Sequence, residues 1–458
     1  MKSNRLLINH IKKYSTFEWL LFIKILENQS EKDLFLMSSN EFERSNLKNP
    51  NWYLIIIDLA LRFADEQKTK VSSDLLPTKD DYMQFISLYV NCIDDDSNFI
   101  IDLDISVEAA LARYGYEQLK SYSPIANSVG RLIDLYENKE ILFKDQLGLS
   151  PKQILYFTLI HNNPKYRKIY EPFDLNSMLR LLQQYDSKIS LDRLKKFLSI
   201  FSITIKNYKL KSKELGNTKD KIKTIRLIEQ FSIIALDNNH YFIPSINALT
   251  QSLTYKMFFT LENIQQNREK FKQSFGKPFE DYTRRLTQFS HADCLFECDQ
   301  LITQDNCEKA EYYLSKNDST IVIECKLLPV NEDILLTGKM KEVEDILIEN
   351  IKKALRQISS CFEHVSTKNK FGIIIIYTHF VMPEAYLELL KRRLKCNCMD
   401  NIKILSIVDY ENLIHDDFNT IIEFLMGRQN RSTLQQPNKY LLNKVSSLLN
   451  ELKQTLKE

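Results

Sequence analysis

The sequence predicts an α/β domain in the C-terminal third, preceded by a mostly α-helical N-terminal region. Glycine is scarce, with eight residues in 458 and none before Gly115. Apolar residues in the first 200 positions recur at spacings of three to four, which is typical of amphipathic helices. From Gly276 onward, helical stretches and short apolar runs follow in the order α-β-β-β-α-β-α-β, which indicates a compact α/β domain.

The first 200 residues are predicted to form helices joined by short polar turns. Helical spacing is clearest in five stretches: Phe17 to Leu26, Trp52 to Phe63, Leu132 to Leu142, Met178 to Tyr185 and Leu191 to Phe201. No motif in this region indicates a chemistry, so its predicted role is recognition, regulation or assembly.

Residues 201–270 are predicted to form a basic linker and a small helical and hairpin module. Eight lysines and arginines face two acids between positions 206 and 226. This stretch is either a solvated linker or helix face, or an arm that contacts phosphates. The run from Ile233 to Pro244 predicts a β-hairpin that turns on Asp237-Asn238-Asn239, and a helix is predicted from there to about residue 270.

Residues 271–428 are predicted to form the α/β domain, and residues 429–458 a polar tail with one helix. Gly276-Lys277-Pro278 is predicted to start the first helix, with proline in its first turn. The later predicted elements are strands at 295–302, 309–315 and 320–326, a helix at 340–364, a strand at 371–377, a helix at 384–395, a strand at 402–408 and the tail helix at 439–456.

The composition limits the classes of protein to which this chain can belong. The apolar content is 44%, the charged content 27% and the formal net charge +2, so contacts with nucleic acid require local basic patches. No apolar run reaches about 18 residues and no signal-peptide core follows the N-terminus, so no membrane partner is expected. The eight cysteines form no compact disulfide framework, which predicts a reducing, cytoplasmic setting.

The tripeptide Glu324-Cys325-Lys326 is the strongest functional signal. It closes the apolar run Ile321-Val322-Ile323, which is typical of a buried strand, and side chains two residues apart on a strand share a face. Burying a carboxylate and an ammonium there is costly unless they meet a metal, a substrate or each other. A metal-dependent phosphodiesterase uses such a pair. A salt-bridged strand end in a non-catalytic fold is the alternative.

In this element order the chain resembles the PD-(D/E)XK nuclease superfamily, the fold of many restriction endonucleases and RecB-like nucleases, over about residues 276–408. The resemblance rests on Glu324-Cys325-Lys326, an upstream acid, a helix carrying Glu280 and a later helix carrying Gln357. It implies a restriction-endonuclease-like fold. It also implies Mg²⁺ or Mn²⁺ bound by two carboxylates and the Cys325 carbonyl, with Lys326 beside the reacting phosphate.

Two residues compete for the upstream acid that the family requires. If Lys316-Asn317-Asp318 is a turn, Glu311 lies nearly opposite residue 323 or 324, at about 5 Å. Glu311 departs from the aspartate that the family usually has at this place. Asp299 has the usual residue type, but it would lie two strands away, at roughly 10 Å, where it could bind a second ion.

Further candidates for the site lie on the flanking helices. Glu280 is either an additional metal ligand or a solvent-facing glutamate, and Gln357 either orients the site or flanks a helix. Candidate phosphate contacts are Lys353, Arg356, Arg284 and Arg285, each of which could also be an ordinary solvated cation.

The predicted function is a metal-dependent endonuclease that acts on DNA. A large helical part fused to such a nuclease is similar in architecture to bacterial defence proteins that attack foreign DNA. The alternatives are a non-catalytic nucleic-acid-binding or scaffold protein with a degenerate nuclease fold, and an RNA-cleaving nuclease. Cleavage of both strands of a duplex would require two sites, which favours a homodimer or a partner subunit.

Overall fold

The computed structural model describes residues 2–47, 49–66, 76–95, 125–162, 171–214, 227–254, 257–265, 268–302, 308–327, 340–377, 401–428 and 438–455. The chain divides into two compact units. The first contains the described residues of Met1–Asp102, Asn138–Met257 and Glu451–Glu458, and the second those of Leu103–Glu137 and Phe258–Asn450. These units differ from the predicted boundaries, because residues 125–137 and most of the C-terminal helix belong to the second unit.

The first unit is mostly helical, as the sequence predicts. Ser15 and Ser30 begin their helices through capping boxes, which satisfy backbone donors at the helix start. The α-helices are Lys2–Ile11, Thr16–Glu27, Glu31–Met37, Glu41–Leu47, Pro50–Phe63, Lys79–Asp95, Glu140–Leu147, Pro151–Asn162, Leu175–Gln183, Leu191–Phe201, Ile205–Glu214 and Ile246–Leu253, and short 3₁₀ turns lie at Glu137–Lys139 and Leu227–Glu229.

A small sheet completes the first unit. Its strands are β1 (Phe173–Asp174), β2 (Ser202–Thr204), β3 (Ile233–Ala235) and β4 (His240–Phe242), in the order β1-β4-β3-β2. The predicted hairpin is confirmed, because β3 and β4 pair antiparallel. The Asp237 carboxylate accepts hydrogen bonds from the backbone N–H groups of Asn239 and His240 at 2.7 and 2.8 Å, which fixes the turn. Of the basic stretch, residues 215–226 lie outside the described residues.

The second unit is built around a five-stranded sheet. Its strands are β5 (Leu295–Glu297), β6 (Tyr312–Lys316), β7 (Ser319–Lys326), β8 (Asn369–Ile376) and β9 (Ile402–Ser406), in the order β5-β6-β7-β8-β9. The first three strands pair antiparallel and the last three parallel. The sheet confirms that all five predicted strands exist, but the first ends at Glu297, the second begins at Tyr312 and the last ends at Ser406, where a helix begins. The predicted helix at 384–395 lies outside the described residues.

Helices cover both faces of this sheet. The second unit's helices are Ile125–Leu135, Met257–Ile264 (from its second residue), Arg268–His291, Cys298–Leu301, Met340–His364, Ile407–Leu413, Phe418–Leu425 and Lys439–Thr455. Arg268–His291 is called the 268–291 helix and Met340–His364 the 340–364 helix. Thr283 of the 268–291 helix contacts the Cys325 sulfur at 3.0 Å on one face. Gln357 of the 340–364 helix contacts Lys326 on the other.

The predicted start of the first α/β helix at Gly276 is wrong. The helix begins at Arg268 and contains Pro278 in its interior. Proline there removes one backbone hydrogen bond. Phe271, Phe275 and Phe279 are all buried, so an apolar stripe at a spacing of four residues holds the helix together across the proline.

A buried polar network joins four helices of the second unit. Arg131 and Tyr282 both donate hydrogen bonds to the Glu411 carboxylate, at 2.7 Å from Nη2 of Arg131 and 2.6 Å from the Tyr282 hydroxyl. The Asn438 side chain donates to the Glu411 carbonyl at 2.6 Å. These contacts fix the 268–291 helix, because Tyr282 belongs to it. Among the helices described, none is long and apolar enough to cross a membrane.

Candidate active site

Glu324 lies near the end of the central strand β7. Its neighbours Ile321, Val322 and Ile323 are fully buried, and the Glu324 side chain is itself 0% exposed. Strand β7 pairs with β6 on one side and β8 on the other, which confirms that it is central rather than an edge strand. A carboxylate in this position is removed from water, so its charge must be compensated locally.

Glu311 lies beside Glu324 because of the hairpin that joins β6 and β7. Lys316 pairs with Ser319, which leaves Asn317-Asp318 as a two-residue connection, and Asn317 has a φ of 54°. Tyr312 pairs with Ile323, and the Glu311 N–H donates to the Ile323 carbonyl at 3.2 Å. Glu311 thus lies directly before the first paired residue of β6, and its charge acts on Glu324.

Lys326 and Gln357 complete the contacts around Glu324. The Lys326 ammonium donates a hydrogen bond to Glu324 Oε1 and another to Gln357 Oε1, the latter at 2.7 Å. The Gln357 amide in turn donates to the Lys309 carbonyl at 2.6 Å. Gln357 is therefore a positioning residue that holds the lysine against the carboxylate. Lys309 was not a sequence candidate, because a backbone carbonyl leaves no signal in the sequence.

Burial and neighbouring negative charges keep protons on the two carboxyls near neutral pH. Burial raises the pKa of Glu324 to about 8, Lys326 acts in the opposite direction, and the charges of Glu311 and Glu280 raise it further. Burial and the Glu280 charge raise the pKa of Glu311 to about 7. A bound cation therefore strongly stabilises the ionised forms of these two carboxyl groups, which are unfavourable without it.

The oxygen atoms at this place fit a hard divalent cation. Glu324 Oε2 is buried and has no hydrogen-bond partner among the residues that the structure describes. The Ile323 carbonyl bonds to the β6 side and the Lys326 carbonyl to Tyr377. Because carbonyls alternate along a strand, that of Cys325 also faces the β6 side. Carboxylate and carbonyl oxygens with added waters are ligands that Mg²⁺ prefers.

The described residues contain no group of three His, Cys, Asp or Glu side chains close enough to hold a metal ion together. Glu280 belongs to the 268–291 helix, and Lys277 pairs with it at 3.7 Å. Its charge acts on both Glu311 and Glu324, so it contributes to the local field. A role of Glu280 as a direct metal ligand stays a prediction.

The placement of Asp299 on a strand is wrong. Strand β5 ends at Glu297 and the chain turns into the one-turn helix Cys298–Leu301. The Asp299 side chain is 86% exposed and forms an ion pair with Lys309 at 3.2 Å. Its negative charge contributes to the raised pKa of Glu311, but Glu311 is the carboxylate whose charge acts on Glu324.

Three of the four predicted phosphate-contacting cations form ion pairs with acids. Arg285 lies 3.0 Å from the buried carboxylate of Asp134, and Arg356 lies 3.0 Å from Glu308. Arg284 pairs with Glu297. Lys353 is exposed and forms no ion pair with another described residue. A phosphate would have to compete with the acid at each of the three arginines.

Comparison with protein-family models, with curated proteins and with solved structures finds no match for this chain.

Cation binding at this site is expected to release about one proton or more at pH 7 and to tighten as the pH rises from 6 to 8. Both carboxyls hold protons near neutral pH, and a cation binds their ionised forms. Calorimetric titration with Mn²⁺ in two buffers of different ionisation enthalpy measures the release. Glu324→Gln is the control, because its amide has no proton to lose. Equal affinity at pH 6 and pH 8 would contradict the assignment.

Proposed function

We propose that this protein is a metal-dependent endonuclease that hydrolyses phosphodiester bonds in DNA. One observation carries the proposal: a buried carboxylate oxygen of Glu324, without a hydrogen-bond partner in the described part of the chain, lies beside Glu311 and next to an ammonium that Gln357 holds in place. The proposal includes a restriction-endonuclease-like arrangement of the second unit, which its mixed sheet, helix-covered on both faces, supports. It also includes a cytoplasmic location, which is supported by the fact that all five described cysteines are free.

Each residue of the site has a separate role in the proposed hydrolysis. Glu311, Glu324 and the Cys325 carbonyl would hold Mg²⁺ or Mn²⁺. When bound, the ion supplies Lewis acidity and a water of lowered pKa. Lys326 has three N–H donors, and two are engaged by Glu324 and Gln357. The third can orient the attacking water or stabilise the charge that develops on the phosphate.

Cleavage is expected to require Mg²⁺ or Mn²⁺ and to stop when EDTA removes the cation. The measurement incubates purified full-length protein with plasmid, linear duplex, single-stranded DNA and RNA, each with and without cation. Metal-dependent cutting of circular plasmid supports the proposal, because a circle has no end for an exonuclease.

The same assay distinguishes the alternatives. Cutting of RNA alone would assign an RNase. Cation binding at Glu311 and Glu324 without cutting of any substrate would instead indicate a non-catalytic nucleic-acid-binding protein.

A further inference from the structure

A cavity of about 400 Å³ lies within the first unit, whereas the candidate active site belongs to the second. Besides β1, the described parts of its wall come from the C-terminal ends of two helices, Thr16–Glu27 and Pro151–Asn162, and from the first turns of two others, Leu175–Gln183 and Ile246–Leu253. A cavity of this volume is in the range of small-molecule binding sites.

One part of the cavity wall is apolar. It includes Ile160, Phe173, Met178 and Leu181. The Phe173 ring is held in place, because it stacks on Tyr241 with 5.5 Å between the ring centroids and an interplanar angle of 21°. Such a wall stabilises a ligand by removing its apolar surface from water, which favours an organic molecule over a bare ion.

The charged side chains of the wall are mainly acidic. The carboxylates of Glu27, Glu171 and Asp174 line the cavity together with one described lysine, Lys24. The Lys24 ammonium lies 4.5 Å from the centre of the Phe242 ring, a contact that attracts a cation to the ring face. The formal charge of these four side chains is therefore negative, which favours a ligand with a positive charge.

The helix ends at the cavity act in the same direction. Two helices end there, and a helix C-terminus carries about half an elementary negative charge. The N-termini of the other two already bind carboxylates of the chain. The Asp174 carboxylate accepts a hydrogen bond from the Ser177 N–H at 2.8 Å. The Glu27 carboxylate accepts from the N–H groups of Ile246 and Asn247 at 2.7 and 3.0 Å. An anionic ligand would have to displace these carboxylates, whereas a cation would not.

Glu27 can accept a further hydrogen bond from a ligand. Its Oε1 atom accepts from the Ser245 hydroxyl and from the backbone and side-chain N–H groups of Asn247. Among the described contacts, its Oε2 atom accepts one hydrogen bond, from the Ile246 N–H, and a carboxylate oxygen has positions for two. Burial raises the pKa of Glu27, although these hydrogen bonds oppose the effect, so a cationic donor would stabilise the ionised carboxylate.

We propose that this cavity binds a small organic cation, an ammonium or guanidinium group on an apolar body, which donates a hydrogen bond to Oε2 of Glu27 and packs its body against Phe173 and Leu181. The ligand is a small molecule, because the cavity has the volume of a small-molecule site. This site gives the helical first unit a role in ligand recognition, and it does not depend on the nuclease proposal for the second unit.

Three probes that share one apolar body test the charge of the ligand. They are 2-phenylethylammonium, 2-phenylethanol and 3-phenylpropionate, which are positive, neutral and negative at pH 7. Their affinities for the full-length protein are measured by calorimetry, with saturation-transfer NMR to detect weak binding. We expect the ammonium to bind at least about tenfold more tightly than the alcohol, as a hydrogen bond to a charged group typically does, and the carboxylate to bind more weakly than both.

Two variants of the protein locate the site. Glu27→Gln is expected to weaken binding of the ammonium by about 10- to 100-fold. Its control is Glu41→Gln, which removes the same charge from a side chain that is 91% exposed. Glu27 also holds the start of the Ile246–Leu253 helix, so Leu181→Trp is made as well. It keeps the carboxylate and fills the cavity, and it is expected to weaken binding of the ammonium and the alcohol alike. Leu36→Trp, at a position that is 72% exposed, is its control.

Each of the other outcomes overturns part or all of the proposal. Tighter binding of 3-phenylpropionate than of the ammonium overturns the cationic class of the ligand. Equal affinity for the ammonium and the alcohol overturns the role of Glu27. Ammonium binding that persists unchanged in folded Leu181→Trp overturns the location. The proposal as a whole fails if the ammonium shows no saturable binding.

Discussion

Replacement of Lys326 by alanine is expected to reduce the rate of DNA cleavage by about 100- to 1,000-fold, as loss of a positioned donor to a developing charge typically does. The ammonium is largely shielded from water, with 13% of its side chain exposed, and contacts Glu324 and Gln357. Its loss also removes the cation that lowers the pKa of Glu324, so residual activity is expected to shift to higher pH. Single-turnover cleavage with saturating Mg²⁺ at pH 7 and pH 9 measures both effects.

Lys316→Ala is the matched control for this variant. Lys316 lies at the opposite end of the same hairpin and forms an ion pair with Asp293 at 3.1 Å. Its removal deletes the same charge and the same side chain without touching the site, so cleavage is expected to stay within about twofold, as for a surface pair of small energy. A Lys326→Ala protein that folds, binds DNA and cuts at the original rate would refute the assigned role of the lysine.

Arg131→Met is expected to destabilise the second unit by about 3–5 kcal/mol, as breaking a buried ion pair typically does. The variant leaves the Glu411 carboxylate buried with the Tyr282 hydroxyl as its remaining side-chain donor in the described contacts. Hydrogen exchange of the Ile407–Leu413 helix, followed by mass spectrometry, measures the loss of protection. Both tryptophans, Trp19 and Trp52, belong to the first unit, so tryptophan fluorescence reports the first unit separately.

Two further variants separate the ion pair from simple loss of packing. Adding Glu411→Gln to Arg131→Met removes the uncompensated charge and keeps an oxygen for Tyr282, so most of the lost protection is expected to return. Arg285→Ala removes a half-exposed arginine that pairs with Asp134. Asp134 keeps Tyr440 and Lys444 as partners, so we expect a smaller loss of protection from exchange than in Arg131→Met. Unchanged exchange in Arg131→Met would mean that the pair contributes nothing to stability.

The position of Glu311 shows which features the sequence determines. A two-residue turn and strict alternation set the register of a hairpin, and both are local. The register that pairs Tyr312 with Ile323, and so brings Glu311 near Glu324, therefore follows from the turn at Asn317-Asp318. The 340–364 helix is likewise predicted at its observed bounds, because its apolar stripe is long and regular. Gln357 borders that stripe, and this position is the reason that it reaches Lys326.

The features that could not be predicted from the sequence depend on contacts between residues that lie far apart in the chain. Asp299 was placed on a strand because the apolar run at 295–302 is too short to distinguish a strand from a helical turn. The ion pairs of Arg284, Arg285 and Arg356 join residues from separate elements, and no local pattern shows them.

The Arg131–Glu411 pair also constrains the order in which the chain can mature during synthesis. The two residues are 280 positions apart, and a ribosome that adds about 5–20 residues per second needs roughly 15 to 60 s to bridge that interval. The Ile125–Leu135 helix therefore leaves the ribosome long before its acidic partner exists. Residues 138–257 of the first unit emerge during that delay. Most of the first unit can therefore fold before the final helices of the second unit have been synthesised. A premature stop before Glu411 would leave the arginine without its counterion, a state that cellular quality control can recognise as incomplete.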